Sequence, residues 1–404
     1  MPFFTEEQET VLSLLFCREE DHPELVEFLS GSLASFAAER IAPRAAENDR
    51  EEVFDVEAFR ALGELGLMAL PYPEAYGGMG ASFAYYCAGL ETLAKADAGF
   101  ALAVGIHGTA CDGIHRFAED HLKARYLEDL VQGRKIAAFC LTEPGSGSDA
   151  RNMKTTWRRE GGEVVLKGTK YWITNGLSAD VFFVLAAGSD GCISAFVVDR
   201  AGKGVFERAK IADKMGVRSS NTAELVFDDY RIPADRLVGE EGQGFRYAME
   251  MLAGGRITIA AQATGIAQGA YEKILKYAHE RELFGVILKD LDNTKRELSE
   301  MQIEIQASRH LAYSAAELRS RGKDVRGPAA IAKVKATEAA VRVAQRAIQL
   351  AGGYGYVQDS KIERALRDSL LHRIGEGANE ALTILVIPRV LYSQYERTPL
   401  TEIW

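Results

Sequence analysis

The sequence predicts an α+β fold in three parts: an N-terminal α-helical domain over 1–138, a central antiparallel β domain over 139–244 and a C-terminal α-helical bundle over 245–404. Two changes of periodicity and one absence predict it. Apolar residues recur at helical spacing as far as about Lys135. From Phe139 they gather into short β-branched and aromatic runs, and beyond Phe245 the helical period returns. Strands and helices do not alternate, which argues against a doubly wound parallel sheet.

The first helical pattern starts at Glu6. Ala34–Arg44 is Ala-rich with apolar positions at helical spacing, and Val56, Phe59, Leu62 and Leu65 continue the period. Pro71-Tyr72-Pro73 and Gly77-Gly78-Met79-Gly80 read as loop, and Ser82–His107 as a second helical stretch. The strand candidates are Glu163–Leu166, Tyr171–Thr174, Val181–Leu185, Ile193–Val198 and Leu225–Phe227, each near a turn signal, as in an antiparallel sheet or small barrel. Arg256–Arg281 then puts Ile266, Ala270, Ile274 and Ala278 on one helical face. Leu298–Arg321 and Ala329–Leu350 are similar, and Ala378–Tyr395 forms a last helix around Pro388. Such lengths suit an antiparallel bundle.

The 404 residues are 47% hydrophobic and 26% charged, with a net charge of −10. That is globular composition without the general basic field of a nucleic-acid binder or an anionic-membrane surface protein. The longest apolar stretches, such as Phe100–Ile106, fall short of the ~20 residues of a membrane span. Met1–Glu7 lacks the features of a signal or transit peptide. The five cysteines, Cys17, Cys87, Cys111, Cys140 and Cys192, are widely spaced without CxxC, so neither a disulfide framework nor a zinc cage is expected. His107 and His115 lie in an apolar helical context and read as structural; no metal site is expected. A cytoplasmic location is the simplest expectation.

No P-loop, GxGxxG or HExxH occurs, and four segments carry candidate chemistry. Phe139–Asp149 joins an apolar strand to the loop Gly145-Ser146-Gly147-Ser148. Its small residues let backbone N–H groups approach phosphates or a flat ring, although a tight turn with a helix cap reads alike. Tyr171-Trp172-Ile173-Thr174-Asn175-Gly176 sets an indole and a hydroxyl on one strand, able to meet a heteroaromatic ring or simply to fill a β core. Gln349–Tyr356 ends a helix at Gly352-Gly353, with Gly355 following. A cap needs one glycine, so the cluster favours backbone approaching a ligand. After Arg367-Asp368, Glu376 stands between Gly375 and Gly377 just before a helix. A base reaching a substrate carbon needs such space, and a solvated loop carboxylate looks the same.

Taken together, these segments resemble the acyl-CoA dehydrogenases, an FAD-dependent family, over nearly the whole chain. The family's first signature matches Phe139–Asp149, and its second matches Gly216-Val217-Arg218-Ser219-Ser220 through Gly239–Phe245. Pro73–Gly80, Arg281–Gly285, Gln349–Gly355 and Glu376-Gly377 fall in the expected order.

The resemblance implies α,β-desaturation of an acyl-CoA thioester. Glu376 is the implied catalytic base for the α-proton, and flavin N5 the acceptor of the β-hydride. Implied FAD-binding positions are Phe139, Leu141, Thr142, Gly147, Ser148, Trp172, Ile173 and Thr174 around the isoalloxazine. Arg281 and Phe284 would reach a neighbouring subunit's cofactor, with Gln349, Gly352, Gly353, Ala378 and Glu380 also on the cofactor. Ser148, Gly255, Arg256, Gly375 and Gly377 are the implied substrate-binding positions, and the base's own N–H with a flavin ribityl hydroxyl would hold the thioester oxygen. Electron-transfer flavoprotein is the implied electron acceptor, and a homotetramer built as a dimer of dimers the implied assembly.

A family branch carries its base at the position of Gly255; here glycine stands there and Glu376 is kept. Other departures are Gly375 and Ala378, where relatives often carry Tyr and Thr, and Asp292, where Gln is common. By the resemblance a glutaryl-type arginine would fall near Ala101, in Gly99-Phe100-Ala101-Leu102. Gly375 makes room for a branched, cyclic or aryl acyl chain, unless other residues fill the space or its backbone requires glycine. A flavin oxidase or monooxygenase on the same fold, a non-enzymatic flavin-binding relative and an acyl-carrier-protein substrate stay open as alternatives.

Overall fold

The computed structural model describes Gln8 and residues 23–397; the expectations for Met1–Glu7, for Cys17 and for a helical pattern over 9–22 lie outside the described residues. Helical turns over 23–51 lead into α1 (Val56–Leu65), α2 (Phe83–Ala96), α3 (Ala98–Phe117) and α4 (Asp120–Val131). The single stretch expected over Ser82–His107 is two helices. Asp97, at φ −152°, breaks it: its carboxylate accepts the N–H groups of Gly99 and Phe100 at 3.0 and 3.1 Å and so caps α3.

The strands are β1 (Ala137–Cys140), β2 (Thr156–Glu160), β3 (Glu163–Thr174), β4 (Val181–Ala187), β5 (Ile193–Asp199), β6 (Lys203–Lys210), β7 (Thr222–Pro233) and β8 (Leu237–Val238). They form an open sheet in the order β6-β7-β3-β2-β4-β5-β8, with β1 also on β4. Two pairings depart from the all-antiparallel expectation. β1 runs parallel to β4, from Ala137 opposite Val181 to Cys140 opposite Val184, and β2 meets β4 in parallel at Thr156 and Ala187. The chain returns as β4 only after the β2–β3 hairpin, a connection long enough for parallel pairing. In β3 the register against β7 slips between Lys170 and Ile173. Trp172 takes φ +59° in this irregularity and turns outward, 57% exposed, whereas Ile173 is buried.

The C-terminal part is built on α5 (Gly244–Glu280), in which every residue from Ala253 to Ala270 is buried. Its glycines permit close approach. A Cβ at Gly265 would lie 2.2 Å from the Glu91 carbonyl oxygen of α2, and one at Gly269 would lie 3.0 Å from that of Lys95. A hairpin of β9 (Glu282–Leu283) and β10 (Val286–Ile287) follows, then α6 (Asp292–Ser320), α7 (Arg326–Ala351) and α8 (Ile362–Ile374). Phe284 and Gly285 form the hairpin tip at φ +54° and +77°. The last helix runs as Asn379–Ala381, Leu382–Val386 and Ile387–Arg397; its middle piece has wide π-type turns. Pro388 cannot donate an N–H and crowds the preceding turn, which the wider spacing accommodates. Among the described residues no helix is long and apolar enough to cross a membrane.

Candidate active site

The loop after α8 holds Glu376 in an unusual backbone conformation. Gly375 closes α8 with φ −63°, Glu376 has φ +55° and Gly377 φ +102°. A non-glycine residue in the left-handed region is strained and persists only where its surroundings hold it. Lys333 of α7, itself buried, supplies that hold. Its Nζ donates to the carbonyls of Arg373 and Gly377 at 3.0 and 2.8 Å and to Asn379 Oδ1 at 2.8 Å. Asn379 Nδ2 donates to Thr337 Oγ1 at 3.0 Å and to Glu338 Oε1 at 2.8 Å. From α5, Arg256 Nε donates to the Glu376 carbonyl at 3.1 Å.

The carboxylate of Glu376 rests against the backbone of α5. A Cβ on Gly255 would sit 2.7 Å from Oε2, 2.8 Å from Cδ and 3.2 Å from Oε1. Gly255 is therefore the socket for the acid, and a base at 255 and a base at 376 compete for one volume. Among the described residues Oε2 is buried with no hydrogen-bond partner. Burial pushes the Glu376 carboxyl up to about 7, against the pull of Arg256 and Lys333. Burial likewise brings the Lys333 ammonium down to about 7, with Glu376, Glu380 and Glu338 opposing that fall and Arg256 adding to it. A shielded carboxyl that titrates near neutrality suits proton transfer.

Gly255 also lines a cleft of about 1310 Å³ between α3, α5 and α6, whose lining includes Arg151 and Phe245. Gly375 borders open space, with the Leu371 carbonyl 3.7 Å from its Cβ position as the nearest atom. Ala101 is buried in the core rather than in the cleft wall.

The β domain offers a shelf. The Tyr171 N–H donates to the Thr142 carbonyl at 2.9 Å and ties the two candidate segments together. Thr142, Trp172 and Thr174 retain exposure, and a Cβ at Gly145 or Gly147 would meet nothing within 4 Å. Ser148 is exposed in the same loop, while the side chains of Phe139, Leu141 and Ile173 face the core. The loop is pinned from below: the buried Lys170 Nζ donates to Glu143 Oε1 at 2.8 Å and to the Leu141 carbonyl at 3.1 Å.

A second cleft, of about 550 Å³, brings Arg281 together with Gly352, Gly353 and Tyr354. Gln349 is exposed nearby in sequence but does not line it, and neither does Phe284, which projects from its hairpin 92% exposed. Ala378 is half-buried and Glu380 exposed at the start of the last helix. Arg367-Asp368 does not reach the clefts. Asp368 Oδ1 accepts the Val217 N–H at 2.6 Å, which docks the second signature segment on α8, and Arg367 pairs with Asp49 at 2.7 Å.

Sequence reasoning missed Lys333, Lys170 and Arg319, which lines the larger cleft. Lys333 did leave a signal: it falls in helical register with Ala329, Ala336 and Ala340 on the buried stripe of α7.

Three stretches of the chain match family models: the acyl-CoA dehydrogenase N-terminal domain over residues 24–134, its middle domain over 138–230 and its C-terminal domain over 242–391. A short-chain-specific acyl-CoA dehydrogenase of Clostridium acetobutylicum is 37% identical over 370 residues, covering 90% of this chain and 97% of that protein. Among solved structures, butyryl-CoA dehydrogenase from Megasphaera elsdenii has a TM-score of 0.89 at 37% identity, covering 93% of this chain and 100% of that one. A chain reported with the electron transferring flavoprotein of Acidaminococcus fermentans has a TM-score of 0.87 at 37% identity, covering 96% and 98%. A glutaryl-CoA dehydrogenase of Mycobacterium smegmatis, in complex with FADH2, has a TM-score of 0.87 at 27% identity, covering 95% and 98%.

Proposed function

Because the chain belongs to the acyl-CoA dehydrogenase family, we propose that it desaturates an acyl-CoA thioester between Cα and Cβ with FAD as cofactor and Glu376 as the base. The observation that carries this is the Glu376 carboxyl, shielded, with Oε2 unpartnered among the described residues, and seated on Gly255, which lines the large cleft.

The shelf of Thr142, Trp172 and Thr174 fits a flat heteroaromatic ring, and the open Gly145–Ser148 loop fits its polar edge. A bound flavin would supply the hydride acceptor. The chain's own residues do the rest. Glu376 takes the α-proton, and its backbone N–H polarises the thioester oxygen. Arg256 and Lys333 keep the acid from rising further out of range. Gly377 and Gly375 would leave the reacting carbons room, and Ser148 would touch the CoA moiety.

Arg281 with Gly352 and Gly353 would hold the adenosine end of a neighbouring subunit's cofactor, with Phe284 reaching across. Exposed apolar side chains on the C-terminal part, including Tyr356, Ile374 and Ile384, support assembly, for which we propose a dimer of dimers. Electron-transfer flavoprotein is the proposed acceptor.

Anaerobic titration of the flavin-loaded protein with acyl-CoAs, butyryl-CoA first, tests the reading. The wild type should bleach, and Glu376→Gln should keep its flavin but lose about 10²–10⁴-fold in rate. Bleaching of the variant at the wild-type rate would overturn the assignment.

A further inference from the structure

The cleft beside Glu376 holds a charged group that desaturation itself does not require. Arg319 of α6 lays its guanidinium against Gly254, where a Cβ would sit 1.5 Å from Nη1. The next residue, Gly255, receives the Glu376 carboxylate. Consecutive helix residues point about 100° apart, but Gly254, Gly255 and Arg319 line one cleft, so the guanidinium borders the same cavity as the glycine on which the base rests.

The guanidinium is held in place. Nη2 donates to Asp112 Oδ1 of α3 at 2.6 Å, and the guanidinium carbon lies 4.2 Å from the Phe83 ring centroid. The side chain stays 18% exposed, and it lines the cleft together with Asp112, Gly254 and Gly255. Nearby hydroxyls are turned onto backbone: Tyr86 donates to Val104 O at 3.1 Å, Thr109 to Gly105 O at 3.1 Å and Thr258 to Gly255 O at 2.8 Å. Among the described residues, Arg319 Nε and Nη1 have no hydrogen-bond partner. They are therefore donors available to a ligand in this wall.

A plain hydrocarbon chain would strip water from these donors and return nothing. A chain with an oxygen acceptor would satisfy them through charge-assisted bonds. Resting on the acyl-CoA reading above, we propose that Arg319 is a specificity-determining residue that recognises an oxygen carried on the acyl chain, as hydroxyl, carbonyl or carboxylate. Asp112 is its positioning residue. The position differs from that of the glutaryl-type arginine, which the resemblance puts near Ala101.

The test uses the flavin-loaded enzyme with thioesters of matched length: butyryl-CoA against 4-hydroxybutyryl-CoA, and hexanoyl-CoA against 6-hydroxyhexanoyl-CoA and adipyl-CoA. The wild type should give the higher kcat/KM with an oxygenated member, and the hydroxyl and carboxylate arms show which oxygen is read. Arg319→Met should lower kcat/KM on that member by about 10- to 100-fold and leave its hydrocarbon partner unchanged or improved. Asp112→Asn should cause a smaller loss in the same direction. Preference for hydrocarbons in every wild-type pair would overturn the proposal. So would an equal loss on all thioesters, the mark of a scaffold or pantetheine contact. A gain on longer chains with the oxygen preference intact would make Arg319 a length stop and would also overturn it. If Arg319→Met does not fold, Arg319→Lys, which keeps the charge without the fork, is read by the same criteria. Failure of the underlying acyl-CoA reading looks different, since no thioester would then bleach the wild type.

Discussion

Gly255→Ala should separate catalysis from stability. The added methyl would lie 2.7, 2.8 and 3.2 Å from Oε2, Cδ and Oε1 of Glu376, where carbon contacts settle at about 3.5–4.0 Å. The atoms in conflict end a flexible side chain, so the carboxylate can swing away by roughly 1 Å while the backbone stays. A displacement of about 1 Å at a reacting group costs on the order of 10²-fold in rate. Alanine within a helix is favoured over glycine by about 0.5–1 kcal/mol, which offsets any strain from the move. The expected result is a melting temperature equal to or above wild type, full flavin content and about 10²-fold slower single-turnover bleaching by butyryl-CoA. Wild-type bleaching would mean that the carboxylate does not use this socket when substrate is bound. A loss of folding would mean that the methyl strikes something other than the acid.

The Glu376 carboxyl, raised by burial, should make kcat/KM climb as pH rises through about 7. Because its folded pKa lies above the ordinary carboxylate value, its contribution to stability is complete at low pH and is lost as pH rises through about 7. Glu376→Gln should thus gain thermal stability relative to wild type between about pH 5 and about pH 8; an unchanged difference refutes the burial. Lys333→Met removes three bonds to the base loop and a nearby positive charge. The activity limb should move to higher pH, Lys333→Arg should partly restore it, and an unmoved profile would reduce Lys333 to scaffold. Gly375→Tyr should fold normally, since φ −63° suits any residue and the space is open. It should disfavour branched thioesters relative to straight ones, and equal losses on both would count against Gly375 as the pocket widener. Arg281→Ala should weaken flavin retention and the oligomer together, as read by absorbance and gel filtration; an intact oligomer with full flavin would speak against a shared site.

Glu376 could be singled out in the sequence as an acid between two glycines followed by a helix, but a solvated loop carboxylate looks the same, and only the family resemblance proposed it as the base. The residues that hold it were not singled out. Lys333 meets Arg373 and Gly377 only after two helices fold back on each other, and in sequence it is one lysine in an Ala-rich run. The strand β6 escaped because it is mostly exposed and carries no apolar run, and β1 gave no hint that it would lie parallel to β4 across an intervening hairpin. The break at Asp97 was readable in principle, since aspartate before small residues is a cap signal, but the apolar period passes through it without interruption. Arg319 drew no attention because nothing local distinguishes it from Arg321; what sets it apart is the missing side chain of Gly254 on another helix.

The glycines of α5 bear on how this protein could adapt to heat. Replacing helical glycines with alanine is among the simplest routes to a more heat-resistant enzyme, and the sequence of α5 holds several helical glycines. Its occupants rule most of them out. Gly265 faces a fixed carbonyl of α2, which has no rotamer to change, and Gly254 is filled by Arg319. A directed-evolution campaign would therefore find little tolerance in the middle of this helix. It would find more at Gly31, where an added methyl meets nothing within 4 Å among the described residues. Thermal adaptation in such a molecule proceeds from the periphery inward, and the central helix is the last part free to change.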